Sequence, residues 1–395
     1  MTGRHRTPAV RAVSPGAGTP IPLFDLRLDA ADIAAVTDAL RSGWLTMGPR
    51  IEAFERAFAE HLGARHAIAV SSCTAALHLA YRAAGVGPGD EVIVPAFTFV
   101  ATANAAIYCG ARPVFADIVG LEDPSLDPIE VERLITPRTR AVTAVHYAGY
   151  SAPVDVLAAL CRERGLALIE DAAHAPSAEL GGRRLGTFGL ASAFSFFSNK
   201  VLPVGEGGLL ATNDDELAAR ARRLRSHAMT STTWERHRGH AESYDVVDIG
   251  FNYRMDEPRA ALALSRLARL EEEIRTRRAL TCAYRRELAG LQDIIVPYRE
   301  EHVARSSCYV MPIMLRDGER RPAFRAALRD AHAIQTSILY PAIHEFSAYR
   351  DRFPGVVLPR TERASRSQVT IPLYPHMSAV EQERVIIAIE RSLAS

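Results

Sequence analysis

The chain has 395 residues, of which 48% are hydrophobic. This length and composition fit an enzyme with one large domain and a smaller one. The formal net charge of +1 argues against a protein that attracts nucleic acid or an anionic membrane through its overall field. No apolar run approaches the roughly 20 residues of a transmembrane helix. The five cysteines include no CxxC pair, so we expect no metal site, no disulfide framework and a cytoplasmic location.

Residues 1–20 are basic and rich in Pro, Gly and Ala but lack the apolar core of a signal peptide, so we predict a disordered leader. From residue 66, short apolar runs alternate with alanine-rich helical stretches. The predicted strands cover 66–70, 91–95, 113–117, 141–146, 166–171, 191–197 and 207–213, and the predicted helices between them cover 74–84, 100–109 and 154–164. This order is typical of a mostly parallel sheet covered on both faces, with ligands at the carboxyl ends of the strands.

After Asp256 the pattern changes to one long predicted helix, roughly 258–288, and then to a shorter mixed α/β segment. We therefore predict an α/β fold with a large domain over 21–268 and a small C-terminal domain over 269–395. The glycine-rich segment 85–90 is interpreted as a helix C-cap, because it follows a helix and precedes a strand instead of opening a helix as a dinucleotide loop does.

Lysine is almost absent from the sequence. Of 47 Lys plus Arg residues only Lys200 is a lysine, so 46 are arginines. Arginine replaces lysine on surfaces and against phosphates, but it does not deprotonate in proteins and so cannot act as a neutral amine nucleophile. A chance surface survivor would be the alternative explanation. We interpret Lys200 as a lysine retained for amine chemistry.

The surroundings of Lys200 indicate a pyridoxal 5′-phosphate (PLP) site. Ser195 precedes it by five residues on a predicted strand, and a glycine-rich turn follows it. Asp171 ends another predicted strand, where a carboxylate could keep the pyridine nitrogen of PLP protonated; a helix N-cap is the alternative. Thr74, in the segment SSCTAAL between a strand and a helix, is both a candidate N-cap and a candidate phosphate ligand.

Long segments of the chain resemble the nucleotide-sugar aminotransferases of the DegT/StrS type, which are fold-type I PLP-dependent enzymes. The resemblance runs in order from about residue 21 to 376 and is carried by SGWLTMGPRIEAFERAFAEHLGARHAIAVSSCTAALHLA, DEVIVPAFTFVATANAAIYCGARPVFADI, LIEDAAHAPSAELGG, SFFSNKVLPVGEGGLLATND and GFNYRMDEPRAAL. It implies a PLP-dependent aminotransferase that works as a homodimer with shared active sites.

The resemblance also implies roles for individual residues. Lys200 would form the Schiff base with PLP, and Asp171 would contact the pyridine nitrogen. His174 would contact the phenolic oxygen of the cofactor, and Phe99 would stack on its ring. The residues implied to hold the phosphate are Ser195, Cys73 and Thr74 from the same chain, and Asn252 and Arg254 from the neighbouring subunit. Many relatives have Gly-Thr where this chain has Cys73-Thr74.

The segment YPAIHEFSAY resembles the substrate-facing segment of the family. The candidates that this implies are Tyr340 and His344, with His146, Tyr147 and His227 as weaker ones. The amino donor would be glutamate or glutamine. DAAH and GEGG, which contain His174 and Glu206, resemble enzymes that aminate C4 of a nucleotide-linked 4-keto-6-deoxyhexose, with Arg225 and Arg254 as candidate contacts for the diphosphate. A keto-cyclitol aminotransferase and a C3 keto-sugar aminotransferase remain alternatives.

Two rival classes share the fold. A regulatory binding module would need no lysine and usually carries a DNA-binding appendage, for which a 20-residue leader is too short. A PLP-dependent sugar dehydratase of this fold replaces the lysine with histidine. Lys200 disfavours both classes, so we expect an aminotransferase whose partners are small molecules and a second copy of the chain.

Overall fold

The computed structural model describes residues 18–240 and 242–394, and its largest sheet has seven strands in the order β1-β9-β8-β5-β4-β2-β3. The strands of the described residues are β1 (His66–Val70), β2 (Glu91–Pro95), β3 (Arg112–Ala116), β4 (Thr139–Val145), β5 (Ala167–Asp171), β6 (Glu179–Leu180), β7 (Arg183–Arg184), β8 (Ala191–Ser195), β9 (Gly208–Thr212), β10 (Ile294–Ile295), β11 (Met311–Leu315) and β12 (Gln368–Ile371). Only β9 runs antiparallel to its neighbours in the large sheet. The predicted, mostly parallel sheet is confirmed.

Helices follow most strands of this sheet. They are α1 (Ala30–Arg41), α2 (Pro49–Leu62), α3 (Cys73–Ala83), α4 (Ala101–Tyr108), α5 (Pro128–Leu134), α6 (Val154–Arg164), α7 (Asp215–Arg225), α8 (Thr233–His237), α9 (Glu257–Leu267), α10 (Leu270–Leu288), α11 (Arg321–Asp330), α12 (Ser347–Arg350), α13 (Pro359–Ser367) and α14 (Ala379–Ala394). The three helices predicted between the strands are α3, α4 and α6.

Both faces of the large sheet are buried. Along β1 the side chains alternate between two cores: Ala69 lies with Phe54 and Phe58 of α2, and Val70 lies with Leu77 of α3. Because both faces are covered, most positions of the central strands are apolar, which explains the apolar runs in the sequence. The carboxyl ends of the parallel strands therefore open at one edge of a rigid layer.

A second, three-stranded sheet, β10-β11-β12, lies in the C-terminal part of the chain and has its own apolar core. Ile21 belongs to this core and forms a parallel bridge with Ile334, so the chain near residue 21 packs on the C-terminal part. The domain boundary at 268/269 stays a prediction. Most of the predicted leader, residues 1–17, lies outside the described residues.

The long helix predicted over 258–288 is instead two helices, α9 and α10, and that expectation was wrong. The break falls at Ala268–Arg269, where Arg269 has φ −108° and ψ −2°, away from the roughly −63° and −42° of a regular α-helix. Its guanidinium contacts Asp29 at 3.1 Å and Asp32 at 2.8 Å, beside α1. Arg266 also contacts Asp32, at 3.1 Å. These ion pairs fix the chain direction at a point where the apolar pattern continues without interruption.

No helix within residues 18–240 and 242–394 is long and apolar enough to cross a membrane. The same residues contain no group of three or more His, Cys, Asp or Glu side chains that could hold a metal ion. All five cysteines are free.

Candidate active site

A cavity of about 370 Å³ opens where the parallel strands of the large sheet end. It is lined by residues that follow β1, β2, β5 and β8 and by residues that precede β9. Eight of the predicted site residues line it: Cys73, Thr74, Phe99, Asp171, His174, Ser195, Lys200 and Tyr340. Parallel strands bring these residues to one edge although they are far apart in sequence.

The amino end of α3 points into this cavity. Ser72 is the N-cap: its backbone is extended, with φ −165° and ψ 162°, and its hydroxyl oxygen accepts the N–H of Ala75 at 3.1 Å. The expectation that Thr74 is the N-cap was therefore wrong, because Thr74 already lies inside the first turn. Its hydroxyl and that of buried Ser195 line the cavity. Free N–H groups and hydroxyls at a helix N-terminus form a suitable phosphate site.

Glycine at position 208 allows β9 to pass close to this helix end. A Cβ atom on Gly208 would lie 2.3 Å from the carbonyl carbon of Ser72 and 2.4 Å from the nitrogen of Cys73. Any side chain there would displace the first turn of α3. The glycine-rich turn after Lys200 thus brings two backbone segments together, in addition to leaving space for a ligand.

Asp171 is a buried carboxylate at the end of β5. Oδ2 accepts the hydroxyl of Thr102 at 2.8 Å, and Oδ1 accepts the N–H of Ala173 at 3.2 Å. The Cys73 thiol lies 4.0 Å from Oδ1. Burial raises the pKa of Asp171 above its usual value, and the ammonium group of Lys200 opposes this only in part. Segment 172–178 is not helical, so Asp171 does not cap an α-helix there.

Lys200 lies after β8 at the cavity wall. Its Nζ is 4.4 Å from the centre of the Tyr309 ring, a geometry suited to an amine or ammonium group over an aromatic face. The hydroxyl of Tyr309 donates to Oδ1 of Asn199 at 3.1 Å. Tyr309 comes from the C-terminal part of the chain, so both parts contribute to the surroundings of the lysine.

His174 is a neutral ring in this cavity. Its Nδ1 accepts the N–H of Ala148 at 3.3 Å, so we assign the proton to Nε2, which donates to the hydroxyl oxygen of Tyr340 at 3.0 Å. Burial lowers the pKa of His174 well below its usual value. Phe99 is 56% exposed, and its ring lies 6.0 Å from that of Tyr340. An exposed aromatic face at the cavity is available to stack on a planar ligand.

Other predicted residues do not line this cavity of the chain. Asn252 and His227 are exposed. Arg254 forms a backbone bridge with Val70, and among the described residues its buried Nη1 has no hydrogen-bond partner. His344 is buried, with Nε2 at 3.3 Å from Oε1 of Glu362.

Three further candidates are engaged within the protein. Arg225 is 4% exposed and donates to Glu55 at 2.5 Å, so it is not available to a substrate diphosphate. His146 is buried, with Nε2 at 3.0 Å from Glu170. Tyr147 donates to the carbonyl of Leu339 at 2.5 Å, beneath the cavity wall. The polar groups of these three side chains are therefore occupied by partners within the protein.

The family model described as the DegT/DnrJ/EryC1/StrS aminotransferase family matches residues 27–390. The chain belongs to this family. It is also 38% identical over 363 residues, covering 91% of this chain and 93% of the relative, to the spore coat polysaccharide biosynthesis protein SpsC of Bacillus subtilis. The resemblance inferred from the sequence is confirmed.

Solved structures of similar proteins cover nearly the whole chain. DesV of S. venezuelae, in complex with a ketimine intermediate, has a TM-score of 0.87 and 37% identity, covering 95% of this chain and 99% of DesV. DesI, in the presence of its TDP-sugar product, has a TM-score of 0.85 and 32% identity, covering 95% and 94%. NtdA from Bacillus subtilis, with bound cofactor PMP, has a TM-score of 0.82 and 30% identity, covering 92% and 82%.

Members of this DegT/StrS family are PLP-dependent aminotransferases, and the cavity fits that cofactor. A buried carboxylate such as Asp171 is stabilised by a cationic partner, and within the described residues its hydrogen-bond donors are neutral, with no Arg, Lys or His among them. A protonated pyridine nitrogen is such a partner. The helix end at Ser72 suits a phosphate, Phe99 suits a planar ring, and Lys200 suits the aldehyde carbon.

Sequence reasoning missed three residues of this DegT/StrS site. Asn199 and Tyr309 line the cavity, and Thr102 contacts Asp171 from within α4. Asn199 directly precedes Lys200, so proximity to the lysine was a usable signal. Tyr309 had no comparable signal, because it lies in a segment without a motif and comes close only through the fold.

Proposed function

We propose that the protein transfers an amino group from glutamate or glutamine to a keto-sugar, with Lys200 and Asp171 as catalytic residues. One observation supports this proposal above the others. Lys200, the only lysine of the sequence, lines the same cavity as Asp171, a buried carboxylate that receives no hydrogen bond from a cationic side chain of the described residues. Bound PLP supplies an electron sink for negative charge that develops on carbon. Asp171 holds the pyridine nitrogen protonated, which makes this electron sink effective.

Lys200 serves twice in this proposal. Its amine would hold the cofactor covalently while no amino donor is bound. The free Nζ would act as the base that removes the proton from the α-carbon of the donor. An arginine cannot perform this step, since it does not deprotonate. Tyr309, whose ring faces Nζ at 4.4 Å, gives the released amine a defined position.

The remaining cavity residues bind and orient. Thr74, Ser195 and the backbone at Cys73 hold the phosphate, Phe99 covers the ring, and His174 contacts the phenolic oxygen. The Cys73 thiol remains neutral, because burial raises its pKa well above the usual value. Substitution of glycine by cysteine at this position therefore adds no charge to the phosphate site.

We further propose a cytoplasmic homodimer in which each subunit completes the other's site. Asn252 and Arg254 would hold the cofactor phosphate of the partner subunit. The unpartnered Nη1 of Arg254 supports this role, because a buried guanidinium nitrogen is costly without an acceptor. Closed two-fold dimers are also the commonest soluble oligomers. His227 and His344 keep a predicted substrate role only as part of this assembly.

The acceptor that we propose is a nucleotide-linked 4-keto-6-deoxyhexose. DesI, solved with its TDP-sugar product, and SpsC, named for polysaccharide biosynthesis, support a sugar acceptor. His174 and Glu206, which line the cavity, belong to the two sequence segments that resemble C4 enzymes. A keto-cyclitol is the second candidate. The chain is also similar to 3-amino-5-hydroxybenzoic acid synthase, with 30% identity and a TM-score of 0.85, and that enzyme is named for a product that is not a sugar.

Single-turnover discharge of the pyridoxamine phosphate form tests this assignment. The enzyme is loaded with glutamate, freed of donor and mixed with a nucleotide-linked 4-keto sugar, its 3-keto isomer or a scyllo-inosose-type ketone. We expect fastest discharge by the 4-keto sugar and competition by the matching nucleoside diphosphate. Faster discharge by the free cyclitol, without such competition, would contradict the acceptor and leave the amino transfer intact.

A further inference from the structure

A short chain of buried hydroxyl groups ends on Asp171. Thr102 is fully buried on α4 and donates its hydroxyl to Oδ2 of Asp171 at 2.8 Å. The hydroxyl oxygen of Thr98 lies 3.2 Å from that of Thr102. The carbonyl of Thr102 accepts the hydroxyl of Tyr81 at 3.4 Å, so its main chain is held as well. Thr102 therefore has one fixed position, in direct contact with the carboxylate.

The direction of this chain depends on the charge of Asp171. An ionised carboxylate only accepts hydrogen bonds, so Thr102 must donate to it. The oxygen of Thr102 then accepts from Thr98, and both hydroxyls are satisfied. A protonated Asp171 would add a third hydroxyl hydrogen that competes for the same acceptors. The arrangement consequently favours the ionised carboxylate, because a hydrogen bond to the charged form stabilises it.

Asp171 needs this support because its other contacts are weak. The N–H of Ala173 lies at 3.2 Å and the thiol of Cys73 at 4.0 Å, so the Thr102 hydroxyl makes the shortest hydrogen bond that the carboxylate receives from the described residues. Burial disfavours the charged form and raises the pKa of Asp171. We infer that Thr102 is a positioning residue whose hydroxyl keeps the Asp171 carboxylate ionised and oriented toward the cofactor nitrogen.

This inference rests on the proposed function, in which Asp171 contacts the pyridine nitrogen. The test compares Thr102→Val, which removes the hydroxyl at nearly constant volume, with Thr102→Ser, which retains it. Thr143→Val is the matched control, because it removes a buried hydroxyl that contacts Tyr81 at 2.6 Å and not Asp171. Each holoenzyme is prepared with PLP labelled with ¹⁵N in the ring, so that the nitrogen chemical shift reports protonation independently of turnover.

Loss of one hydrogen bond to a charged group lowers kcat by roughly tenfold to a hundredfold. The same loss raises the pKa of Asp171 further, so the acid limb of the kcat–pH profile moves to higher pH. The ¹⁵N signal of Thr102→Val should shift toward that of unprotonated pyridine. Affinity of the apoprotein for PLP should fall as well. Thr102→Ser should restore the pH profile and the ¹⁵N shift, and Thr143→Val should leave both unchanged.

A pH profile and a ¹⁵N shift of Thr102→Val equal to those of the wild type, or equal to those of Thr143→Val, would overturn the inference. If Thr102→Val does not fold, Thr102→Cys supplies a weaker donor at the same place. An upward shift of its acid limb relative to Thr102→Ser supports the inference, and equal profiles overturn it. Wild-type protein that fixes no PLP on borohydride reduction would overturn the proposed function itself, which separates the two failures.

Discussion

Replacement of Asp171 by Asn removes one negative charge and keeps the shape of the side chain. In the structure Oδ2 faces the hydroxyl of Thr102 and Oδ1 faces the N–H of Ala173. The amide oxygen of Asn can accept from Ala173, and its NH₂ group can donate to Thr102, whose hydroxyl is free to rotate. We therefore expect Asp171→Asn to fold and to form the cavity. The variant should lack only the negative charge that Asp171 places beside the cofactor.

The size of the effect follows from the burial of Asp171, which is 6% exposed. Opposite unit charges about 4 Å apart interact by about 4 kcal/mol at an effective dielectric constant of about 20. This interaction between the carboxylate and the pyridinium strengthens the electron sink. Because about 1.4 kcal/mol corresponds to a tenfold change in rate, loss of the charge lowers kcat by about a thousandfold.

The assay is the rate of the half-reaction with glutamate, followed by the change in cofactor absorbance under single-turnover conditions. Circular dichroism and the melting temperature establish that Asp171→Asn is folded. Asp171→Glu serves as a second variant, which keeps the charge but misplaces it. A folded Asp171→Asn protein within a few-fold of the wild-type rate would refute the electrostatic role and leave Asp171 as a structural residue.

The other substitutions test separate parts of the site. Lys200→Arg should keep the positive charge but lose all turnover and the reducible link to the cofactor, as measured by half-reaction rates and mass spectrometry. Gly208→Ala should lower the free energy of unfolding by about 1–3 kcal/mol and weaken PLP binding, because its Cβ would lie 2.3 Å from the backbone of Ser72; Gly87→Ala, whose Cβ meets nothing within 4 Å, is the control. Lys200→Ala subunits mixed with Arg254→Ala subunits should regain activity. If Arg254 acts in the partner's site, one site of each mixed dimer carries both substitutions and the other site carries neither. With demonstrated subunit exchange and two inactive parents, no recovery would exclude an Arg254 that acts in the partner's site.

The sequence predicted the large sheet and the strand-end residues because their signals are local. Apolar runs, the unique Lys200 and the carboxylate of Asp171 at a strand end are each recognisable within a few residues. Parallel strands then place such ends at one edge, so the residues could be combined without knowledge of distances. The helix break at Arg269 was missed, since the apolar pattern continues through it and its ion pairs are made with the distant Asp29 and Asp32.

Contacts across long separations could not be predicted in the same way. Thr102 and Asp171 are 69 residues apart, and Tyr340 and His174 are 166 apart. His344 lies four positions after Tyr340 but turns toward Glu362, because the segment between them is irregular and has no fixed periodicity. Hydrogen-bond partners of this kind are set by packing of the finished fold.

Borohydride reduction of the purified protein tests the central claim most directly. The claim is that the amine of Lys200 holds the cofactor and that no other residue does so. Reduction should remove the visible absorbance of the PLP-loaded protein and fix one cofactor per chain, on the peptide that contains Lys200. Because the sequence contains no other lysine, the assignment by mass spectrometry is unambiguous. Recovery of Lys200 unmodified, or of the cofactor on any other residue, would contradict the account.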